Sequence, residues 1–144
     1  MNIVYIADFS LPNMSAYSLH VLKMCDAFAE NKNKIELLIP YKEKKLSFKK
    51  IKENYLLKKK FQIKSFFFFK RKVSLINNIF FLTSLLFQVK FKKKLIISRS
   101  IIPAVILAYK GHSVILEIHT MPSGLTVYIF NFIKNKKFFS KIKF

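Results

Sequence analysis

The chain has 144 residues, 52% of them hydrophobic, which is enough to bury the core of one ordinary domain and excludes disorder over most of its length. Against 27 Lys plus Arg stand 7 Asp plus Glu, a net charge of +20, so its field attracts anions: nucleic acid, acidic lipid or phosphate-bearing substrates. One cysteine excludes an internal disulfide and a cysteine-cluster zinc site, three histidines without paired spacing argue against a metal centre, and two glycines disfavour a Gly-rich phosphate loop.

Residues 2–8, NIVYIAD, form a short β-branched run ended by an acid and predict a buried strand. No basic stretch followed by an apolar one opens the chain, so no secretory signal is visible and a cytoplasmic location is expected, with the inner membrane face as an alternative that the Lys runs leave open. Residues 9–15, with Pro12, Asn13 and Ser15, predict a loop that ends in a helix N-cap. From 16 to 31 the apolar residues Leu19, Leu22, Cys25, Ala27, Phe28 and Ala29 recur at helical spacing. Cys25 there reads as a small core residue rather than a nucleophile. Residues 35–39, IELLI, predict a second strand closed by Pro40, which completes a βαβ unit.

Residues 41–60 are Lys-rich and read as a solvated linker or an exposed helix. Residues 61–69 predict a third strand, and 73–91 a helix. The uncharged run 73–89 is marginally short for a membrane span of ~20 residues and carries Asn77, Asn78, Thr83, Ser84 and Gln88, so a buried helix is the preferred reading. Residues 94–98 predict a strand followed by Arg99. Residues 101–110 predict a short helix with Pro103 in its first turn and Gly111 as its stop. Residues 113–118 predict another strand, 119–124 a loop, and 125–134 the start of a helix. Residues 134–144 show no closing strand, and the chain reads as cut off inside one domain spanning 1–144. The rhythm predicts an α/β, doubly wound, mostly parallel sheet with helices on both faces.

In such a sheet, ligands bind beyond the carboxyl ends of the strands. That rule selects residues 8–16, Arg99, and His119, Thr120, Met121 and Pro122, and places them on one rim. A guanidinium, an imidazole and a helix N-terminus there could hold a sugar or a phosphate. Other readings stay open. Arg99 can pair with Glu117 of a neighbouring strand, Asp8 can cap its loop, His20 can be structural, and His112 can be solvated.

The opening segment 1–40, the piece LIISRS, and VILEIHTMP together resemble the Rossmann-like N-terminal domain of family-4-type glycosyltransferases of the GT-B fold. The similarity covers about residues 1–40 and 94–135. It implies a retaining, metal-independent transfer from a nucleotide-sugar in cell-envelope polysaccharide or glycolipid synthesis. His119 would sit near the reacting sugar as the catalytic contact. Asn13, Ser15 and Ala16 would approach the donor phosphate or acceptor, and Arg99 and Thr120 would contact the sugar or lipid-linked acceptor. The family's paired glycines in the first loop are here Ser15 and Ala16, which removes the easiest route to close backbone approach. No cofactor is implied, since the nucleotide-sugar is a co-substrate that this half does not bind alone. The family's donor-binding C-terminal domain has no counterpart in these residues, so the chain is expected to be silent by itself. The alternative is a small basic protein that binds nucleic acid or an anionic membrane surface through its Lys-rich faces. No zinc-finger spacing, RNP-like motif or Arg-rich helix supports nucleic acid, which is not the expected partner. An AT-biased coding sequence would also enrich Lys, Asn, Ile and Phe, although it leaves the low Glu content unexplained.

Overall fold

The computed structural model describes residues 1–67, 81, 83, 91, 94–118 and 125–144. Among them seven strands form one sheet, and every pairing is parallel. Strand β1 (Asn2–Ile6) is buried from Ile3 onward. Hydrophobicity on both sides is what a strand covered by helices on both faces requires. After β1 come the two-residue β2 (Ser10–Leu11) and helix α1 (Ala16–Glu30). Ser15 caps α1: its hydroxyl accepts the Ser18 amide at 3.2 Å, a contact that contributes about 1 kcal/mol.

Strand β3 (Lys34–Lys42) runs straight through Pro40 rather than ending there. Proline lacks the N–H that a ladder needs, and the β3–β4 register skips it: Ile39 pairs with Ser65 and Tyr41 with Phe67. The stretch expected to be a solvated linker or exposed helix instead folds into the core. Helix α2 (Phe48–Asn54), capped by Ser47, buries Ile51, and Leu46, Tyr55 and Leu57 are buried around it. Strand β4 (Gln62–Phe67) follows. The helix expected over 73–91 lies outside the described residues, except for positions 81, 83 and 91.

The second half contains β5 (Leu95–Ser98), α3 (Ile101–Tyr109), β6 (Val114–Leu116), α4 (Leu125–Ile133), a 3-10 turn (Lys137–Lys141) and β7 (Ile142–Lys143). Gly111, at φ +89, supplies the left-handed residue that stops α3. The final residues do close on the sheet: Ile142 pairs with Val114 and Lys143 with Ile115. Two residues are too few to carry a period-2 signal, so the pattern gave no sign of this strand.

Tyr41 pairs with Phe67 of β4 and with Ser10 of β2, so β2 takes the edge of β3 that β1 also uses. The remaining strands run β4-β3-β1-β5-β6-β7 across the sheet, in chain order 3-2-1-4-5-6, which makes the fold Rossmann-like. Alternation along the strands divides the core in two. Ile3, Tyr5, Leu37, Ile39 and Ile97 pack with Val21, Leu22 and Cys25 of α1. Val4, Ile6, Leu38, Ile96 and Val114 pack with Ala104, Leu107 and Ala108 of α3. Helices therefore cover both faces. The buried stripe of α1 is Ser18, Val21, Leu22, Cys25 and Asp26, and Leu19, expected inside, is 42% exposed.

Candidate functional site

Going outward from β1, the chain winds in one direction through β3 and β4 and in the other through β5, β6 and β7. The carboxyl ends of β1 and β5 therefore meet at the topological switch point, where this architecture opens a crevice. Backbone hydrogen bonds join three strand tips there. The Arg99 amide donates to the Ile6 carbonyl at 3.0 Å, and the Glu117 amide donates to the Ser98 carbonyl at 2.9 Å. Arg99 and Glu117 thus leave adjacent strands side by side.

The side chains converge on the Glu117 carboxylate. The Tyr5 hydroxyl, rising from the buried middle of β1, donates to its Oε2. His20 Nε2 of α1 lies 3.2 Å from Oε1, and Arg99 Nε lies 3.7 Å from the same oxygen. The Arg99 guanidinium sits over the Tyr17 ring, 4.5 Å from its centroid. The Tyr17 hydroxyl in turn accepts the Asp8 amide at 3.3 Å, tying the end of β1 to α1.

Burial pushes the Tyr5 hydroxyl far above its usual pKa, and the hydrogen bond and charge of Glu117 push it further, so Tyr5 stays a proton donor. Desolvation also raises Tyr17, and it raises Asp8, whose carboxyl keeps access to solvent while crowded by neighbouring chain.

The Arg99 side chain is only 5% exposed, yet its Nε and Nη1 have no hydrogen-bond partner. A buried donor left unpaired costs about 1–3 kcal/mol, and more when it is charged. The neighbouring carboxylate balances the charge from beyond hydrogen-bond reach and leaves those N–H groups unspent. The guanidinium is thus held rigid by a ring and a counter-charge while two of its N–H groups lack an acceptor, the chemistry that an oxygen-rich ligand supplies.

Of the residues picked out by sequence, Arg99 stands at this centre. Its pairing with Glu117 was one of the open readings and is observed as an ion pair without a hydrogen bond. Asn13 and Ser15 build the loop: the Asn13 Oδ1 accepts the Ser15 amide at 2.9 Å, and the Tyr55 hydroxyl donates to the Asn13 carbonyl at 2.6 Å. Ala16 opens α1 directly behind its cap. His119 and Thr120 lie outside the described residues. Sequence reasoning missed Tyr5 and Tyr17 and left His20 as structural. Tyr5 reads as one more apolar ring in a strand, and nothing local in the chain links it to a carboxylate 112 positions away. The Cys25 thiol, fully buried and raised by that burial, takes no part. Among the described residues no group of three His, Cys, Asp or Glu could hold a metal ion.

Comparisons of the chain with family models, curated proteins and solved structures found no match.

Proposed function

We propose that this chain is the acceptor-side domain of a retaining, nucleotide-sugar-dependent glycosyltransferase of cell-envelope polysaccharide or glycolipid synthesis. The observation that carries the proposal is Arg99: buried at the switch point, stacked on Tyr17, charge-balanced by Glu117, and with N–H groups unspent. Sugar hydroxyls offer the neutral acceptor oxygens that such donors lack, without bringing a second negative charge next to Glu117. Tyr5 and His20 would hold Glu117 in place, and His119 and Thr120 would contact the reacting sugar and the acceptor. Charge building on a departing nucleoside diphosphate needs cationic or dipolar groups beyond those in this crevice. A second, donor-binding domain would supply them, and this chain alone would transfer no sugar.

Saturation-transfer NMR with monosaccharides, disaccharides, prenyl-diphosphate-linked sugars and nucleotide-sugars tests the proposal. Signals are expected from saccharides or lipid-linked sugars and not from nucleotide-sugars, and they should vanish in Arg99→Met. If no saccharide or lipid-linked sugar binds, the proposal fails. The net charge of +20 favours a second reading, a basic binding protein for nucleic acid. Affinity for duplex DNA that collapses as salt rises, in the absence of any saccharide binding, would favour it.

A further inference from the structure

Away from the crevice, α3 and α4 leave an apolar groove of 620 Å³ between them, lined by Val105, Tyr109, Tyr128, Ile129, Phe132 and Ile133. Three of its rings face outward: Tyr109 is 74% exposed, Tyr128 75% and Phe132 69%. Adjoining exposed rings of this kind mark interaction surfaces rather than ordinary solvated ones. The stretch of chain that builds the groove is one-sided in charge. From residue 101 to 144 the chain carries six lysines, Lys110, Lys134, Lys136, Lys137, Lys141 and Lys143, and one acid. That acid is Glu117, engaged with Tyr5, His20 and Arg99. Lys136 lies along the patch with its ammonium 4.7 Å from the Phe132 ring centroid, its stem on apolar surface and its charge at the rim.

We infer that this face docks on an anionic lipid surface, with Tyr128 and Phe132 entering the headgroup boundary and Lys136 at the groove pairing with lipid phosphate. The charge selects this occupant. A second copy would bring another +20 against the same lysines, whereas acidic lipid offers both the apolar boundary that rings seek and the counter-charge that lysines need. Among the described residues no helix is long and apolar enough to cross a membrane. The surface stands apart from the acceptor crevice, and its role does not depend on the glycosyltransferase proposal.

The chain contains no tryptophan, so Phe132→Trp installs a single reporter on the patch. Its emission is expected to shift to the blue, and to be quenched by brominated lipid, on vesicles with roughly one-third anionic lipid, but not on neutral vesicles. In sedimentation with the same vesicles, the double variant Tyr128→Ser, Phe132→Ser keeps every lysine and is expected to bind about tenfold or more weakly. Circular dichroism checks that both variants stay folded. Binding unchanged in the double variant would overturn the inference, because the lysines alone would then suffice. A blue shift produced without lipid by self-association, or produced by duplex DNA instead of vesicles, would overturn it equally.

Discussion

The Nε of Arg99 stands 3.7 Å from Oε1 of Glu117, near enough for the charges to balance and too far for its N–H to donate a hydrogen bond. An ion pair built for stability would close that gap and satisfy the remaining N–H groups. Here the pairing stops short at a strand-tip crevice. The consequence is measurable. Arg99→Met is expected to shift the urea unfolding free energy by no more than about 1 kcal/mol in either direction while abolishing saccharide binding. A loss above roughly 3 kcal/mol would mark Arg99 as a structural partner of Glu117 instead.

Tyr5 and Glu117 form the opposite kind of pair, hydrogen-bonded, with the tyrosine buried and the carboxylate partly so. Tyr5→Phe keeps the ring in its packing and removes only the donor. A cost of about 1–2 kcal/mol is expected in urea unfolding, together with weaker saccharide binding, because the carboxylate beside Arg99 loses its anchor. Full-strength binding in the variant would show that Glu117 needs no such anchor.

The fold was legible where the residue types agree with their surroundings. β1, β3 and β5 are short apolar runs, and Ser15 and Gly111 punctuate their helices as such residues do. The misreadings share one cause, tertiary contacts that local pattern does not encode. Pro40 falls where β3 skips a ladder pair. Ser18 goes inside in place of Leu19 because its hydroxyl is spent on the Asn13 and Ser15 carbonyls. β7 becomes a strand only because β6 offers an edge. The same holds at the candidate site. Arg99 was visible from the carboxyl-end rule, whereas Tyr5, Tyr17 and His20 enter through contacts across elements far apart in sequence.

Asp26 pins α1 to the segment before β4. Its carboxylate accepts the Lys58 amide at 3.0 Å and the Lys59 amide at 2.7 Å, and the residue is 5% exposed. Asp26→Ala leaves two backbone donors without their acceptor and should cost about 2–3 kcal/mol. Faster hydrogen exchange at the Lys58 and Lys59 amides, reported by NMR, is the local signature. Exchange unchanged there would contradict the assignment.

Glu36 and Asp8 give stability a pH dependence of two signs. Burial pushes the Glu36 carboxyl up, but hydrogen bonds and charge from Lys64 and Lys94 outweigh it and leave the group below its ordinary 4.5. A folded-state pKa below the unfolded one contributes stability above the unfolded value, lost as pH falls through the folded value. Glu36→Gln should therefore flatten the decline in stability below pH 4.5. Asp8 is raised above its ordinary 3.8 by burial, so its contribution is full below that value and lost as pH rises through the folded pKa. Asp8→Asn should gain stability relative to the parent as pH rises from 3.8. Parallel profiles for parent and variants in acid urea titrations would contradict both assignments.

Arg99 keeps its unpaired donors for a ligand, and its own resonance reports whether one binds there. The chain has two arginines, so its arginine Nε–H spectrum holds two signals, with Arg71 as the internal reference. Titrating the 15N-labelled protein with a saccharide or lipid-linked sugar should move the Arg99 signal and leave the Arg71 signal in place. An Arg99 signal that stays still up to saturating sugar, or that moves only with nucleic acid, would contradict the account.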